Sequence, residues 1–308
     1  MKKKRRIHLG RIILISVLLA AVIIGSLYLY ISLNTKEEEP FDINSLHINE
    51  LDYSEAKTLD LDLYSKEYLL IRLNDYKVLY ASNNSDLMYP ASLTKVLTMN
   101  SVLDICQSID ETSSYSYDQY AYLIDENASL AGLKPEKDYT VEELLYGLIL
   151  PSGGDAAVAL ENYAANKGHN LIELMNNKCL KLGLVNSHFT NPTGLHNDLL
   201  YTTLDDYARI VIDTLNSSEA KKVLKAKEHE LDGKTSHSTL YGLFDRDDGI
   251  EICGGKTGYT PEAGMNLMAL YKVNNRSYLL LLGNAPGSPY RDGSKHLEDA
   301  NKILESMY

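Results

Sequence analysis

The chain has 308 residues, of which 44% are apolar and 23% are charged, values typical of a folded protein and too apolar for a disordered one. The formal net charge is −12, but residues 1–11 contain six basic side chains and no acidic one, so the remainder holds 24 basic against 42 acidic side chains. Because a body this acidic repels phosphate backbones, nucleic-acid binding is disfavoured. The three cysteines are too few for a disulfide scaffold, and none has the CxxC spacing of a zinc or redox site.

An uncharged apolar segment follows the basic tail at residues 12–33. As a helix, its 22 residues would extend roughly 33 Å, the thickness of a hydrocarbon core. The basic residues before it and the acidic run Glu37–Glu39 after it predict a single-pass membrane anchor with the N-terminus in the cytoplasm. A cleaved signal peptide is the alternative, although its apolar region is normally shorter. Both interpretations place the body outside the cytoplasm.

Residues 34–57 are polar and acidic, which predicts a juxtamembrane stalk. From residue 58 the pattern becomes periodic, and residues 68–73 and 77–81 on either side of an Asn-Asp turn predict a hairpin. A proline and an alanine then open a helix predicted at 92–107. The polar residues 108–138 have no clear period.

Helices dominate the middle of the body and strands return near its end. Thr140-Val-Glu-Glu143 is a capping box and predicts the start of a helix that ends near residue 150. Strands from both ends of the sequence, with helices between them, favour an α/β (α+β) fold built on one sheet. The other predicted helices lie at 155–166, 171–182, 203–216 and 293–307, and the other predicted strands at 250–257, 265–273 and 277–283.

A Ser-x-x-Lys motif occurs three times, at Ser54, Ser92 and Ser218. Residues three apart share one helix face, so the amine can reach the hydroxyl and act as its base. Ser54 lies in the predicted stalk, and Ser218 begins a short lysine-rich helix for which a solvated face is expected. Ser92 instead leads an apolar helix that must bury Lys95. Because burial disfavours the charged ammonium, we expect a lowered pKa for Lys95, as a base requires.

Two further segments carry candidate site residues. Ser152 lies in a Pro-Ser-Gly-Gly break between two predicted helices, where its hydroxyl could point into a cleft or cap a helix. Lys256 and Thr257 lie in the glycine-rich run 254–259 on the third predicted strand, and glycines in a strand indicate close approach of another backbone. They could bind a carboxylate, or the run could be an edge strand with a solvated lysine.

In this order, the three segments resemble the Ser-x-x-Lys, Ser-x-Asn and Lys-Thr-Gly motifs of the penicillin-recognising serine enzymes. Residues 90–95, 191–195 and 256–264 are similar to the serine D-Ala-D-Ala carboxypeptidases, the low-molecular-mass penicillin-binding proteins. The resemblance covers roughly residues 58–308. It implies one catalytic domain of that extent, with an antiparallel sheet flanked by helices and a helical lobe.

The resemblance also implies a reaction. Ser92 would attack the carbonyl between the last two D-alanines of a peptidoglycan stem peptide, with Lys95 as its base. Ser152 would relay a proton to the leaving amine, and the backbone amides of Ser92 and Tyr259 would form the oxyanion hole. Neither a metal nor a cofactor is expected, and β-lactams are the expected inhibitors.

The implied substrate-binding residues come from the second and third motifs. Lys256 would keep Lys95 neutral through its positive charge, and Thr257 would bind the terminal carboxylate beside Gly258. Gly154 is a departure, because it stands where the second motif has an asparagine that contacts substrate. We therefore expect one polar contact to be lost or supplied by water.

Two other functions share these motifs. A β-lactamase would need a glutamate to position the deacylating water, and Glu173, which begins a Glu-x-x-x-Asn pattern, is interpreted as a surface residue of a helix. An inert, membrane-tethered peptidoglycan-binding module is favoured by Gly154 alone. Transpeptidase or endopeptidase activity stays open, because these motifs do not determine the acyl acceptor.

Overall fold

The computed structural model describes residues 51–240 and 249–306. The predicted basic tail, the predicted anchor at 12–33 and most of the predicted stalk lie outside the described residues. Within the described residues, no helix combines the length and the apolar composition needed to cross a bilayer.

A five-stranded antiparallel sheet forms the centre of the described residues, in the order β2-β1-β9-β8-β7. The two ends of the sequence meet where β1 pairs with β9, which confirms the predicted sheet with strands from both ends of the body. Two small two-stranded antiparallel sheets lie outside this sheet: β3 pairs with β4, and β5 and β6 form a hairpin. The strands are β1 (Glu67–Arg72), β2 (Lys77–Ser82), β3 (Thr112–Ser113), β4 (Tyr139–Thr140), β5 (Glu228–Leu231), β6 (Lys234–His237), β7 (Ile250–Thr260), β8 (Gly264–Val273) and β9 (Arg276–Ala285).

Helices pack against the sheet, and most of them lie between β2 and β5 in chain order. Thr140 forms the predicted capping box with Glu143, and the Thr203 side chain accepts the backbone N–H of Asp206 at the start of another helix. The helices are α1 (Thr94–Leu103), α2 (Tyr117–Asp125), α3 (Val141–Ile149), α4 (Gly154–Asn166), α5 (Leu171–Lys181), α6 (Leu204–Thr214), α7 (Ser218–Lys225) and α8 (Lys295–Glu305).

The sheet is buried on both faces, because helices pack against each of them. Tyr68 and Leu70 of β1 belong to a core cluster with Ile303 of α8. Leu69 and Ile71 are also fully buried, and alternation along a strand places them on the opposite face, the side of α6. This two-sided burial explains the nearly continuous apolar runs of β8 and β9.

The structure differs from the sequence-based prediction at several places. Helix α1 ends at Leu103 rather than near residue 107, and a short 3-10 turn, Ala91–Leu93, precedes it. Helix α2 lies in the region to which no element was assigned, although Ser116-x-x-Gln119 forms a capping box at its start. The hairpin β5-β6 was missed because its short strands are mostly polar.

The start of the body also differs from the boundary at residue 58. Asp52 and Lys57, which were assigned to the stalk, form parallel backbone bridges with Lys77 and Tyr80 of β2. Leu51 is buried as well. Residues 51–57 therefore pack against the edge strand of the sheet.

Candidate active site

Ser92 lies in the 3-10 turn immediately before α1, and two distant backbones contact this turn. Ala91 adopts a left-handed conformation with φ +49°. A Cβ on Gly258 would lie 3.2 Å from the Ser92 amide nitrogen, and a Cβ on Gly194 would lie 3.0 Å from it and overlap the Ala91 carbonyl oxygen. Both glycines are therefore required for the close approach of β7 and of the loop after Asn191 to the nucleophile candidate.

The side chain of Lys95 lies beside the Ser92 hydroxyl. Its Nζ is 2.9 Å from Ser92 Oγ and 2.5 Å from the carbonyl oxygen of Thr193. Every residue from Thr94 to Val102 is buried, so α1 cannot present Lys95 to solvent, and the side chain is only 3% exposed. Burial lowers the pKa of Lys95 to about 7, although the charge of Asp155 acts in the opposite direction. A substantial fraction of the amine that faces the hydroxyl is therefore neutral near neutral pH.

The loop that supplies the Thr193 carbonyl is held by one asparagine. Asn191 Oδ1 accepts the backbone N–H groups of Thr193 and Gly194 and the Thr193 hydroxyl, while its Nδ2 donates to the Leu195 carbonyl. The Thr98 hydroxyl of α1 donates to the Pro192 carbonyl at 2.8 Å. These bonds fix the loop on α1, so the acceptor of Lys95 is held by contacts between segments almost one hundred residues apart.

Asp155 holds a second loop near the site. Its fully buried carboxylate accepts the backbone N–H groups of Ala131, Gly132 and Leu133 at 2.8 to 3.0 Å, and that of Ala156 at 3.0 Å. Burial raises the pKa of Asp155, and the four backbone hydrogen bonds lower it. The carboxylate thereby joins the start of α4 to the segment between α2 and α3.

Ser152 lies between α3 and α4, as predicted, in a left-handed conformation with φ +64°. It is 5% exposed, and its Oγ has no hydrogen-bond partner among the described residues. A buried hydroxyl without a partner on a strained backbone is a feature that clusters at functional sites.

Neighbouring atoms occupy the space beside the Gly154 Cα, where the asparagine side chain of the second motif would begin. Its N–H donates to the Ser129 carbonyl at 2.6 Å. A Cβ at this position would lie 3.1 Å from Leu123 Cδ2, 3.2 Å from the Ser129 carbonyl oxygen and 3.3 Å from Ala128 Cβ. The segment after α2 therefore fills the space in which the second motif's side chain would start.

Lys256 lies on β7, the edge strand of the sheet, but it is fully buried, which excludes a solvated lysine. Its Nζ donates to the Thr257 carbonyl at 2.6 Å. Burial and the positive charge of Lys95 lower the pKa of Lys256 well below its usual range. Another backbone lies close to the glycine-rich run of β7, as predicted, because a Cβ on Gly254 would overlap the Leu224 carbonyl oxygen.

A cleft of about 350 Å³ opens at Ser92 and Lys95. Tyr259, which follows the Lys-Thr-Gly motif, is on its lining, whereas Ser152, Gly154, Lys256 and Thr257 are not part of the lining among the described residues. Several residues of the cleft wall were not predicted from the sequence, and the capping box at the start of α2 was the only local signal near them. The other lining residues are Glu126, Asn127, Ala128, Ser129, Thr193, Gly194, Leu195, Thr260, Pro261 and Tyr290.

The other two Ser-x-x-Lys motifs have different surroundings. Ser54 is exposed in the segment that packs on β2. Ser218 is exposed at the start of α7, and its hydroxyl donates to Glu219. Glu173 is also exposed, in the first turn of α5. Ser92 thus differs from both other serines in its contact with a buried amine.

Comparisons with known proteins agree with this geometry. A family model described as D-alanyl-D-alanine carboxypeptidase matches residues 53–285. Over 230 residues, 71% of this chain and 57% of the relative, the sequence is 31% identical to the D-alanyl-D-alanine carboxypeptidase DacF of Bacillus subtilis. It is 32% identical to DacA of Escherichia coli over 67% of this chain and 52% of that protein. The chain therefore spans little more than half the length of these two relatives.

Solved structures are similar over most of the chain. The Streptomyces K15 DD-transpeptidase superposes with a TM-score of 0.71 and 26% identity, covering 80% of this chain and 98% of that one. Penicillin-binding protein 6B from Escherichia coli gives a TM-score of 0.69 at 26% identity, over 83% of this chain and 80% of that one.

Proposed function

The chain belongs to the D-alanyl-D-alanine carboxypeptidase family, and on that premise we propose that it is a serine carboxypeptidase that removes the terminal D-alanine from peptidoglycan stem peptides. The observation that carries the proposal is the 2.9 Å separation of Ser92 Oγ from the buried Nζ of Lys95. A serine hydroxyl becomes a strong nucleophile when a base takes its proton, and a buried amine with a pKa of about 7 is such a base.

The proposed acylation uses the groups described above. Lys95 Nζ takes the proton of Ser92 Oγ as the oxygen attacks the carbonyl carbon between the two D-alanines. The negative charge that develops on the carbonyl oxygen is stabilised by the amides of Ser92 and Tyr259, and each such donor is worth about 10²–10³ in rate. The C–N bond then breaks, and Ser152 passes the proton to the leaving amine. An ester on Ser92 and free D-alanine result.

The proposed substrate binding rests on β7. Because β7 is an edge strand of the described sheet, backbone N–H groups on its outer side have no strand partner and are available to a peptide. Lys256 and Thr257 hold the terminal carboxylate, and water then hydrolyses the ester with Lys95 again as the base. Ser92 attacks the ring carbonyl of a β-lactam in the same way, and the product is a penicilloyl ester on Ser92.

The experiment measures two signals on the full-length chain purified in detergent: covalent labelling by a fluorescent penicillin, and D-alanine release from a tripeptide that ends in D-Ala-D-Ala. We expect both signals for the wild type and neither for Ser92→Ala. Ser54→Ala and Ser218→Ala are matched controls, because each changes a serine of the same motif, and both should retain the two signals. Loss of label in either control, or label on Ser92→Ala, would contradict the proposal.

Transpeptidation is a second candidate, favoured by the similarity to the Streptomyces DD-transpeptidase. The same acyl-enzyme would then transfer its acyl group to an amine instead of to water. Adding an amino-acid acceptor to the tripeptide assay separates the two activities, because transfer yields a new peptide and hydrolysis yields only the shortened one. The comparisons do not favour a β-lactamase or an inert binding module.

We also propose that residues 12–33 anchor the protein in the cell membrane, with the body on the outer side. The proposal is supported by the length of the uncharged segment and the basic residues before it. The chain should sediment with membranes after an alkaline wash, and protease added from outside should digest the body. N-terminal sequencing of the purified protein tests the alternative, because a cleaved signal would remove the segment.

A further inference from the structure

Two segments of the cleft lining meet through a pair of side chains that lie next to the lining in the chain. Residues 193–195 line the cleft and are followed by His196, and residues 259–261 line it and are followed by Glu262. His196 Nδ1 is 4.0 Å from Glu262 Oε2. Because neither side chain belongs to the described lining, the pair can join the two segments without contacting the substrate.

The imidazole of His196 has two further neighbours. Its Nε2 is 3.3 Å from Oδ1 of Asp198, on its own loop. Its ring packs edge-on against Tyr89, with 4.8 Å between the ring centroids and an angle of 88° between the ring planes. Tyr89 lies immediately before Pro90 and the turn that carries Ser92. Three segments that surround the nucleophile therefore meet at this one ring.

The protonation of the ring determines how many of these contacts it makes. The titratable groups that face it are Asp198, Glu262 and the Tyr89 phenol. A neutral imidazole has one N–H and can donate to one carboxylate, whereas the protonated ring has two and attracts both carboxylates. A separation of 4.0 Å is too long for a hydrogen bond but within reach of an ion pair, so the contact with Glu262 requires the charged ring.

The two joined segments are held differently. The loop before His196 is fixed on α1, because the Thr193 carbonyl accepts a hydrogen bond from Lys95 and the Pro192 carbonyl accepts one from Thr98. The turn between β7 and β8 is closed by a local contact, in which the Thr260 hydroxyl accepts the backbone N–H of Ala263. Loss of the link is therefore expected to displace the turn and to leave the reactive pair in place.

We propose that His196 is a positioning residue that, through Glu262, holds the turn between β7 and β8 against the loop at residues 191–198 and so sets the width of the cleft. This inference rests on the proposed function. The link forms when the ring is protonated and is lost when the ring is neutral. Substrate affinity then depends on pH through His196, separately from the effect of Lys95 on the acylation rate.

The test measures kcat and KM of the full-length protein for a tripeptide that ends in D-Ala-D-Ala. Two conditions are used, about pH 5.5 and about pH 8.5, between which a histidine ordinarily loses its second proton. At the lower pH, Glu262→Gln should raise KM about two- to fivefold, the range of an exposed ion pair, and at the higher pH by less than about 1.5-fold. At both pH values kcat should change by less than about twofold, because the reactive pair is not displaced. The ratio of variant to wild type removes the contribution of Lys95, which both proteins contain.

A double-mutant cycle tests whether the two side chains act on each other. His196→Gln should raise KM at the lower pH by about the same factor as Glu262→Gln, and the double variant should have the KM of either single variant. His237→Gln is the matched control, because His237 Nδ1 also lies near a glutamate, 3.3 Å from Glu228 Oε2, on the hairpin β5-β6 outside the described cleft lining. It should leave KM unchanged at both pH values.

The proposal is overturned if the effect of Glu262→Gln on KM is equal at the two pH values, if it falls on kcat, or if the two single variants are additive. Absence of penicillin labelling and of D-alanine release in the wild type would instead reject the proposed function. In that case, dissociation constants of the same tripeptide decide whether the link acts on binding, measured at both pH values for Ser92→Ala with and without Glu262→Gln.

Discussion

Gly194 lies so close to Ala91 that a Cβ at position 194 would overlap the Ala91 carbonyl oxygen. The contact joins the loop whose Thr193 carbonyl accepts a hydrogen bond from Lys95 to the turn that carries Ser92. The backbone of Gly194 therefore helps to set the position of the nucleophile relative to its base.

Gly194→Ala should lower both stability and the rate of penicillin acylation. The backbone at Gly194 has φ +79°, which costs an alanine about 1–2 kcal/mol, and the overlap with Ala91 adds to this cost. Gly168→Ala is the matched control, because Gly168 has φ +80° and a Cβ added there would meet no atom within 4 Å. Urea unfolding and acylation rates should show a larger loss of stability at position 194, and loss of acylation only there. Equal effects of the two variants would contradict the importance of the contact.

The acylation rate should rise with pH through about 7. Burial lowers the pKa of Lys95 to about 7, and only the neutral amine can accept the proton of Ser92. Below that pH Lys95 is protonated and the rate falls, whereas above it the amine is free and the rate reaches its plateau. Stopped-flow labelling by penicillin between about pH 5 and pH 11 measures how the acylation rate rises with pH. A rate that first rises near pH 10, where an exposed lysine titrates, would contradict the role of burial.

Asp155→Asn should destabilise the protein. Asp155 Oδ2 accepts the N–H groups of Gly132 and Leu133, and the amide nitrogen of an asparagine cannot accept them. Leu133 is buried, so its N–H without a partner costs about 1–3 kcal/mol in the free energy of unfolding, whereas the exposed Gly132 can bond to water. Asp138→Asn, at an exposed carboxylate, should change that free energy by less than about 0.5 kcal/mol. Similar unfolding curves for the two variants would show that the loop does not depend on Asp155.

Gly154→Asn should lower stability and should not increase turnover. A Cβ at Gly154 would already lie 3.1 Å from Leu123 and 3.2 Å from the Ser129 carbonyl oxygen, so the neighbouring segment has to move. Overpacking of this kind costs about 1–3 kcal/mol. Gly154→Ala separates the effect of the Cβ from that of the amide. A rise in D-alanine release in Gly154→Asn would instead show that the missing amide limits the reaction.

Local sequence was sufficient for several parts of the fold. The hairpin β1-β2 follows from its two apolar runs and the turn between them, and the start of α3 follows from the capping box at Thr140. The prediction failed where the local pattern is polar or broken. Helix α2 exposes most of its length and buries Leu123 alone, so it has too little apolar periodicity to be recognised.

The sequence by itself determined that Ser92 and Lys95 lie one turn apart at the start of an apolar helix, because that spacing and that composition are local properties. Only the tertiary structure decided that the amine is buried against the Thr193 carbonyl, that β7 passes the nucleophile at Gly258, and that Glu126 lies on the cleft. Those relationships join segments far apart in the chain, and their free energy depends on shape and desolvation in the folded core, which no short stretch of sequence encodes.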